Sequence, residues 1–245
     1  MDEALLSAVG AGRSPATVRL YGFSPATLSL GRFQRLKDRI DTQALREAGI
    51  TLVRRPTGGQ AVLHDRELTY AVVLGRDHLD PFGKREIYRF IAGLLLKGLQ
   101  RLGIQGRSSH QRLGDPHNPD CFRSTGEYEI ATSSERKLVG SAQVLNRNAS
   151  LQHGAIPLDD SYRRISRYLQ AGSSEDQEQP GCLCEELGRS VSFEEALDAF
   201  AQGFAAGLQE HGIRLEAGDL SGEERRLAAE LLRTKYSRDE WNLSY

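Results

Sequence analysis

The sequence has 245 residues, and its 32 Lys and Arg residues balance its 33 Asp and Glu residues to a net charge of -1. This balance excludes a global basic field that would recruit nucleic acid or an anionic membrane. No apolar run approaches the roughly 18 residues of a membrane-spanning helix, and acidic residues stand near the N-terminus where a secretory signal is basic. The 3 cysteines form no disulfide pattern, so we expect a cytoplasmic protein.

Short alternating runs rich in β-branched residues predict a largely β segment over the first 156 residues. Two helices interrupt it: a short one at Thr42 to Ala48, and a longer one whose apolar side chains recur at helical spacing from Ile87 to Leu102, before Gly103. The predicted strands are Ala16 to Tyr21, Thr27 to Leu30, Thr51 to Arg54, Gln60 to Leu63, Leu68 to Leu74, Tyr128 to Ala131, Leu138 to Val144 and Ser150 to Ile156.

The C-terminal third has a different pattern. Asp159 to Pro180 is polar, and the segment AGSSEDQEQPG at residues 171–181 predicts an exposed loop. Two helices follow, each opened by a serine with a glutamate three residues later, at Ser192 and at Ser221. We therefore expect an α/β domain over residues 1–180, with a mixed sheet and packed helices, and a helical extension over residues 181–245 that packs on it.

The segment Arg54 to Val73 is the first candidate for binding chemistry. Arg54 and Arg55 precede a proline, and Gly58 and Gly59 permit positive φ, so backbone amides could lie along a phosphate or a carboxylate. Spacing alone favours the alternative of a Gly-Gly hairpin between two strands. His64 with Asp65 has the look of a dyad, but a histidine at a strand end is more often packed or solvated.

The second candidate runs from Glu135 to Leu158. Lys137 begins a strand in which Gly140, Ser141 and Ala142 are small, and a return strand brings His153 and Gly154 alongside. Small residues in the middle of a strand reduce stability, which favours a groove where a ligand lies against the backbone. Charge pattern alone favours the alternative of a solvated Lys137 at a strand end.

Other cysteines and histidines give weaker signals. Cys182 and Cys184 lack the further ligands of a four-ligand metal site, so we interpret them as packing residues at a helix start. His110 and His117 flank a polar loop without fixed ligand spacing, and we expect that loop to cover a site instead of binding metal.

Five stretches together resemble one family, and they occur in order along almost the whole chain: YGFSPATLSLGRFQ, RRPTGGQAVLHDRELTYAVV, CFRSTGEYEI, KLVGSAQVLNRNASLQHGAIPL and KYSRDEWNLSY. They look like the lipoate-protein ligases and octanoyltransferases, which are similar in fold to the biotin protein ligases. The resemblance implies an α/β fold of the biotin/lipoate protein ligase type, also described as class II aaRS and biotin synthetase-like.

The family contains two chemistries. The resemblance to its cysteine-dependent branch implies that Cys121 takes octanoate from acyl carrier protein and passes it to a lysine of a carrier protein, either the glycine cleavage H protein or a 2-oxoacid dehydrogenase lipoyl domain. Lys137 would hydrogen-bond the thioester carbonyl. Substrate-binding positions would be Arg54, Arg55, Gly58, Gly59, His64, Gly140, Ser141, His153 and Gly154.

No cofactor is expected on this interpretation, because octanoyl-phosphopantetheine is a substrate. The alternative is an ATP-dependent lipoate ligase that uses Mg-ATP and an acyl-adenylate. A third possibility is a catalytically silent binder of lipoyl domains.

The sequence departs from the family pattern at two places. It begins at MDEALL, where the family has a preceding strand and a Trp-Arg segment, so we expect this start either to lack a first strand or to be a misassigned initiation site. Gln60 stands where the family commonly has Gly or Arg. Neither departure removes Cys121, whose thiol pKa we expect Arg123, Lys137 or His64 to lower.

Overall fold

The computed structural model describes residues 1–35, 40–109, 129–132, 136–169 and 180–244. In these ranges the chain forms two β-sheets with α-helices packed on them, so the predicted α/β class is confirmed. No helix in the described ranges has the length and apolar character needed to cross a bilayer. The α-helices are α1 Asp2–Gly10, α2 Thr42–Glu47, α3 Lys84–Arg101, α4 Leu183–Leu187, α5 Phe193–Glu210, α6 Gly222–Leu231 and α7 Asp239–Asn242.

The larger sheet has six strands in the order β1-β5-β9-β8-β7-β6, and all neighbours are antiparallel. Five of its strands match predicted runs within one residue at each end. The polar strand β6 was not predicted, because its sequence GRSS has neither alternation nor β-branched residues. The strands are β1 Thr17–Tyr21, β5 Glu67–Gly75, β6 Gly106–Ser109, β7 Glu129–Thr132, β8 Lys137–Leu145 and β9 Ala149–Pro157.

The smaller sheet has the order β3-β2-β4, with β2 Thr27–Leu30 between β3 Thr51–Arg54 and β4 Val62–His64. β3 runs parallel to β2, and β4 runs antiparallel to it. The hairpin interpretation of Gly58 and Gly59 is therefore wrong. The strands on either side of the glycines pair with β2 and not with each other, so the loop between them crosses over β2.

Helices α3 and α5 cover one face of the larger sheet. Leu68, Tyr70 and Val72 of β5 pack there against Ile91 and Phe204 in the main core. The predicted start of α5 is confirmed, because Ser192 Oγ accepts a hydrogen bond from the amide of Glu195. At α6 both hydrogen bonds of a capping box form between Ser221 and Glu224.

Helix α1 packs on the opposite face of this sheet. Its Leu5, Leu6 and Val9 contact a second cluster that includes Val73 and Leu151. No helix was predicted here from the sequence. The helix is 9 residues long, and isolated helices this short are marginal, so the sheet face supplies most of its stability.

The first part of the polar stretch Asp159 to Pro180 is packed, and the exposed loop predicted at residues 171–181 lies almost entirely outside the described ranges. Asp160–Tyr168 forms 3₁₀ turns, and Tyr162 and Ile165 are buried. Residues 170–179 lie outside the described ranges. Cys182 then caps the start of α4, fully buried in a small cluster with Tyr162, and burial raises the pKa of its thiol to about 12. This position agrees with a packing role.

Candidate functional site

A cavity of about 470 Å³ lies between the two sheets. Its volume falls in the range of roughly 300–1,000 Å³ that is typical of small-molecule sites. Small and aliphatic side chains form much of its wall. Lining residues from the smaller sheet include Ser29, Val53, Val62 and His64, those from the larger sheet include Thr69, Gly140, Ala142, His153 and Ala155, and the C-terminal segment adds Ala228, Leu232 and Tyr236.

Strand register explains why space remains at this place. Gly140 lies opposite Ala155, so two small residues meet across β8 and β9 on the cavity face, and the small Ala142 lies opposite His153. Ser141 also borders the cavity, but its Oγ lies 2.8 Å from the hydroxyl of Tyr70 in the main core. The predicted groove at Gly140 and Ser141 is therefore present, with the Ser141 hydroxyl turned to the other face.

Gly154 has a packing reason that the sequence did not reveal. A Cβ at this position would lie 2.3 Å from the carbonyl oxygen of Gly140 and 2.6 Å from Cε1 of Tyr70. Only glycine at position 154 leaves room for the Tyr70 ring. The ligand-based explanation for this small residue is thus not needed, although Gly154 does border the cavity.

His64 is buried in a polar network on the cavity wall. Its Nε2 lies 2.8 Å from Ser29 Oγ, and its Nδ1 lies 2.6 Å from Glu67 Oε1. Thr69 donates to the same Glu67 oxygen, and the ring of Phe23 stacks on the imidazole at 4.2 Å. The acidic partner of His64 is therefore Glu67, three residues on, and not the adjacent Asp65, which pairs with Arg164. The network fixes the imidazole at the cavity wall.

The two neighbouring arginines have separate environments. Arg54 is fully buried, and its Nη1 donates to the carbonyl oxygens of Gly31 at 2.7 Å and Gln34 at 2.9 Å. Its Nε donates to the carbonyl of Trp241, whose indole N–H donates back to the Arg54 carbonyl at 2.8 Å. Arg54 is not part of the cavity lining and instead joins β3 to the C-terminal segment.

Arg55 does line the cavity, and it organises the glycine loop. Its Nη2 donates to the carbonyls of Gly58 at 2.8 Å and Gln60 at 2.7 Å, its Nε donates to Thr57, and its Nη1 donates to the carbonyl and hydroxyl of Ser29. All five N–H groups of this guanidinium therefore have acceptors within the protein.

The glycines of this loop are used for backbone conformation. Gly59 has φ +91°, a positive φ as predicted for this pair. Its carbonyl oxygen packs so closely on Gly31 that a Cβ on Gly31 would lie 1.7 Å from this oxygen. Gly58 and Gly59 are not among the lining residues of the cavity. The loop is a support for the cavity wall.

His153 is buried at the far wall between two partners. Its Nε2 lies 2.7 Å from Thr57 Oγ1, and its Nδ1 lies 3.1 Å from Asp2 Oδ2, which also accepts from the hydroxyl of Tyr21. Burial lowers the pKa of His153. Burial opposes ionisation of Asp2, but the hydrogen bond and charge of His153, with the charge of Arg19, lower the pKa of this carboxyl to about 2. The cluster holds α1 against the sheet.

Lys137 is buried, so the solvated interpretation of this lysine is wrong. Its Nζ lies 2.5 Å from Glu129 Oε1. A bulge shifts the pairing of β7 and β8, so that Ile130 lies opposite Val139 but Ala131 lies opposite Lys137. Regular strand alternation would place Lys137 on the face of Val139 and Ser141, but the bulge interrupts this alternation.

The bulge turns Lys137 toward the cavity face. Val139 and Ile130 belong to the main core, so Ala131 and Lys137 point to the opposite face, which is the face of Gly140 and Ala142. Lys137 lies beyond the cavity lining on that face. Cys121 and Arg123, together with His110 and His117, lie outside the described residues. Within the described ranges no group of three or more His, Cys, Asp or Glu residues has a metal-binding arrangement.

Comparison with known proteins extends over the whole chain. An octanoyltransferase LipM of Kyrpidia tusciae is 41% identical over 257 residues, which cover 99% of this chain and 92% of the relative. The octanoyltransferase LipM of Bacillus subtilis is 36% identical over 258 residues, with 99% and 91% covered. These identities extend through the C-terminal helices as well as both sheets.

Solved structures agree on the fold. A lipoate-protein ligase A bound with ATP superimposes with a TM-score of 0.81 at 26% identity, covering 99% of this chain and 91% of that one. A bipartite lipoate protein ligase from Thermoplasma acidophilum gives 0.77 at 22% identity, with 99% and 91% covered, and shows the fold alone. The sequence pattern of the lipoyl protein ligase A/B catalytic domain matches residues 1–205. The chain therefore belongs to the lipoyl protein ligase A/B catalytic domain family, as the five stretches predicted.

Proposed function

We propose that this chain is a protein octanoyltransferase, an acyltransferase of lipoate biosynthesis. The observation that carries the proposal is the 41% identity, over 99% of the chain, to an octanoyltransferase. The cavity of about 470 Å³ between the sheets supports it, since small and aliphatic walls suit an acyl chain. Octanoyl-acyl carrier protein is the proposed donor, and a lysine of a lipoyl-accepting carrier protein is the proposed acceptor.

The proposed chemistry has two steps and uses Cys121, which the resemblance identifies. The Cys121 thiolate attacks the thioester carbonyl and a new S–C bond forms. The C–S bond to phosphopantetheine breaks, and that sulfur leaves as a thiolate, which takes a proton from solvent. The neutral amine of the acceptor lysine then attacks the new thioester, a C–N bond forms, and Cys121 is released while the proton passes to solvent. Exchange between thiol and thioester is nearly isoenergetic, so no ATP is required.

Lys137 is the proposed electrostatic partner of this chemistry. A positive donor aimed at the carbonyl oxygen stabilises the negative charge that grows there in the transition state. Support comes from the bulge that turns Lys137 to the cavity face and from its buried position, where the low local dielectric strengthens a charge.

The second candidate function is ATP-dependent lipoate ligation, which the structural likeness to a ligase bound with ATP favours. The contacts of Arg55 disfavour the ligase alternative. All five of its N–H groups already have acceptors in the protein, so a phosphate could bind the Arg55 guanidinium only by displacing some of those acceptors. A non-catalytic binder ranks last, because Cys121 and Lys137 are both present.

Intact-protein mass spectrometry after mixing with octanoyl-acyl carrier protein tests the proposal. Without ATP we expect one octanoyl adduct that hydroxylamine removes, and we expect no adduct on Cys121→Ser. Cys184→Ser is the matched control, because this cysteine is partly exposed beside Cys182 and should leave acylation unchanged. If free octanoate with Mg-ATP acylates a lipoyl domain equally well in wild type and in Cys121→Ser, the ligase function replaces the transferase.

A further inference from the structure

A buried carboxylate and ammonium meet between the neighbouring antiparallel strands β7 and β8. Glu129 and Lys137 are the first residues of these strands, and they are 8% and 6% exposed. Lys137 Nζ lies 2.5 Å from Glu129 Oε1. The bulge between the strands brings both side chains onto the face that carries Gly140 and Ala142 of the cavity wall.

Stability alone is a poor reason for this pair. Desolvation of two charges often outweighs their attraction, and well-packed apolar residues can replace a buried ion pair without loss of stability. In addition, Glu129 Oε2 is buried without a hydrogen-bond partner among the described residues. A half-satisfied carboxylate is costly in a core, so a functional reason for its presence is favoured.

Glu129 is also set to change its charge near neutral pH. Burial raises the pKa of Glu129 to about 7, although the attraction and hydrogen bond of Lys137 oppose the rise. The carboxylate form, which holds the ammonium most strongly, therefore predominates only above this pH. A lysine held by such a partner has a position and a charge environment that both depend on the protonation of Glu129.

Among the residues that the structure describes, the elements around β7 offer few other charged groups. β8 carries Lys137 as its charged residue, and β6 carries Arg107, which lies opposite Ala131 and two residues along from Glu129. On α3, which packs on this edge, Arg101 donates to Gln202. Arg136, next to Lys137, binds Glu185 and Glu186 instead. Of these cations in the described residues, Lys137 is the one in contact with Glu129.

We propose that Glu129 is a positioning residue for Lys137, holding its ammonium on the cavity face so that it can serve acyl transfer. The inference rests on the proposed function, in which Lys137 stabilises the reacting carbonyl. It adds that the ionised carboxylate is the active form. Transfer should therefore increase as pH rises through the range in which Glu129 loses its proton.

The test compares pH profiles of single-turnover acylation by octanoyl-acyl carrier protein in the full chain, from about pH 5.5 to about pH 9. We expect Glu129→Gln to lower the rate by about 100-fold, because a misplaced donor loses its alignment, and to remove the rising limb near neutral pH. Glu129→Asp keeps the charge on a shorter stem, so the limb should remain while the rate falls. Glu210→Gln is the control, since Glu210 pairs with Lys97 on the surface at 2.6 Å.

A double-mutant cycle separates positioning from a structural role. With Lys137→Ala as the second change, a positioning residue should add little further loss, whereas independent effects would multiply. Glu129→Gln that keeps both the wild-type rate and the neutral-pH limb overturns the proposal. A fold defect is recognised by thermal melting, and Glu129→Asp then provides the comparison.

A readout without turnover distinguishes this proposal from failure of the proposed function. In protein labelled with ¹³C at lysine Cε, the Lys137 resonance should shift as Glu129 titrates, and Glu129→Gln should abolish that inflection. Wild type that shows the inflection but forms no adduct with octanoyl-acyl carrier protein would contradict the transferase and leave the coupling intact. Absence of the inflection in wild type overturns the coupling itself.

Discussion

At the scale of the residue, two adjacent arginines show that neighbouring positions can have different environments and roles. Arg54 and Arg55 look equivalent in the sequence, and both were predicted to bind substrate. Arg54 is the last residue of β3 and Arg55 follows it, and their side chains point in different directions. Arg55 reaches the cavity and the glycine loop, while Arg54 is buried against the backbone of Gly31 and Trp241.

Arg54→Met should therefore destabilise the protein without a direct effect on the cavity. The change keeps an unbranched stem but removes the guanidinium, which leaves several buried carbonyl oxygens without their donor, and each unsatisfied group costs about 1–3 kcal/mol. We expect a loss of at least about 3 kcal/mol in urea unfolding. Exposed Arg46 of α2 gives the matched control Arg46→Met, expected within about 0.5 kcal/mol. Equal effects at the two positions would contradict a structural role for Arg54.

At the scale of the element, helices α3 and α5 approach each other through glycines. A Cβ on Gly203 would lie 2.4 Å from the backbone nitrogen of Gly98, and a Cβ on Gly98 would lie 2.4 Å from the ring of Phe200. The two backbones are thus in contact where they cross. Glycine at these places costs helix propensity, and the close packing offsets it.

Gly203→Ala should lower the melting temperature, even though alanine is the better helix former. The new methyl group would meet backbone atoms of Gly98, which cannot rotate away as a side chain could, so the helices must move apart. Overpacking of this kind costs about 1–3 kcal/mol. Gly93→Ala on α3 is the control, since no atom lies within 4 Å of a Cβ there, and it should stabilise by up to about 1 kcal/mol. Stabilisation by both alanines would show that the helices do not pack as described.

At the scale of the whole molecule, distant parts of the chain build one cavity. The sheets supply its walls, and Leu232 and Tyr236 of the C-terminal segment close one side. Glu3 of α1 binds Lys235 at 2.7 Å, so the two ends of the chain are joined beside it. The family pattern ends at residue 205, inside α5, and a domain boundary at residue 180 stays a prediction.

Ala142→Phe tests whether this cavity holds the acyl chain. The side chain of Ala142 faces the cavity, so a phenyl ring there should shorten the space for the chain. We expect acylation by octanoyl-acyl carrier protein to fall about 10- to 200-fold, since each methylene in an apolar pocket is worth about that much discrimination. Acylation by butanoyl-acyl carrier protein should change much less.

The control for this experiment is Ala217→Phe in an exposed segment, which should affect neither donor. Equal loss with both acyl lengths in a protein of unchanged melting temperature would show that Ala142 does not border the chain. Unchanged transfer of octanoate would show that the acyl chain binds outside the cavity.

The sequence by itself was sufficient for the elements whose signal is local. Eight strands and the long helices appeared at their predicted places, because alternation and helical spacing record which face of each element is buried. The serine caps at Ser192 and Ser221 were also predicted, since a cap is satisfied within one helical turn. Family membership followed from five ordered stretches, which together are far more specific than any one of them.

Only the tertiary structure decided which of the chemically suitable residues meet. It paired His64 with Glu67 and not with Asp65, and it separated Arg54 from the cavity that Arg55 borders. It also turned Lys137 to the cavity face beside Glu129 through a bulge. A bulge adds one residue to one strand and reverses its alternation from that point, and the need for it arises from pairing with a second strand. The sequence of β8 alone does not indicate how β8 pairs with β7.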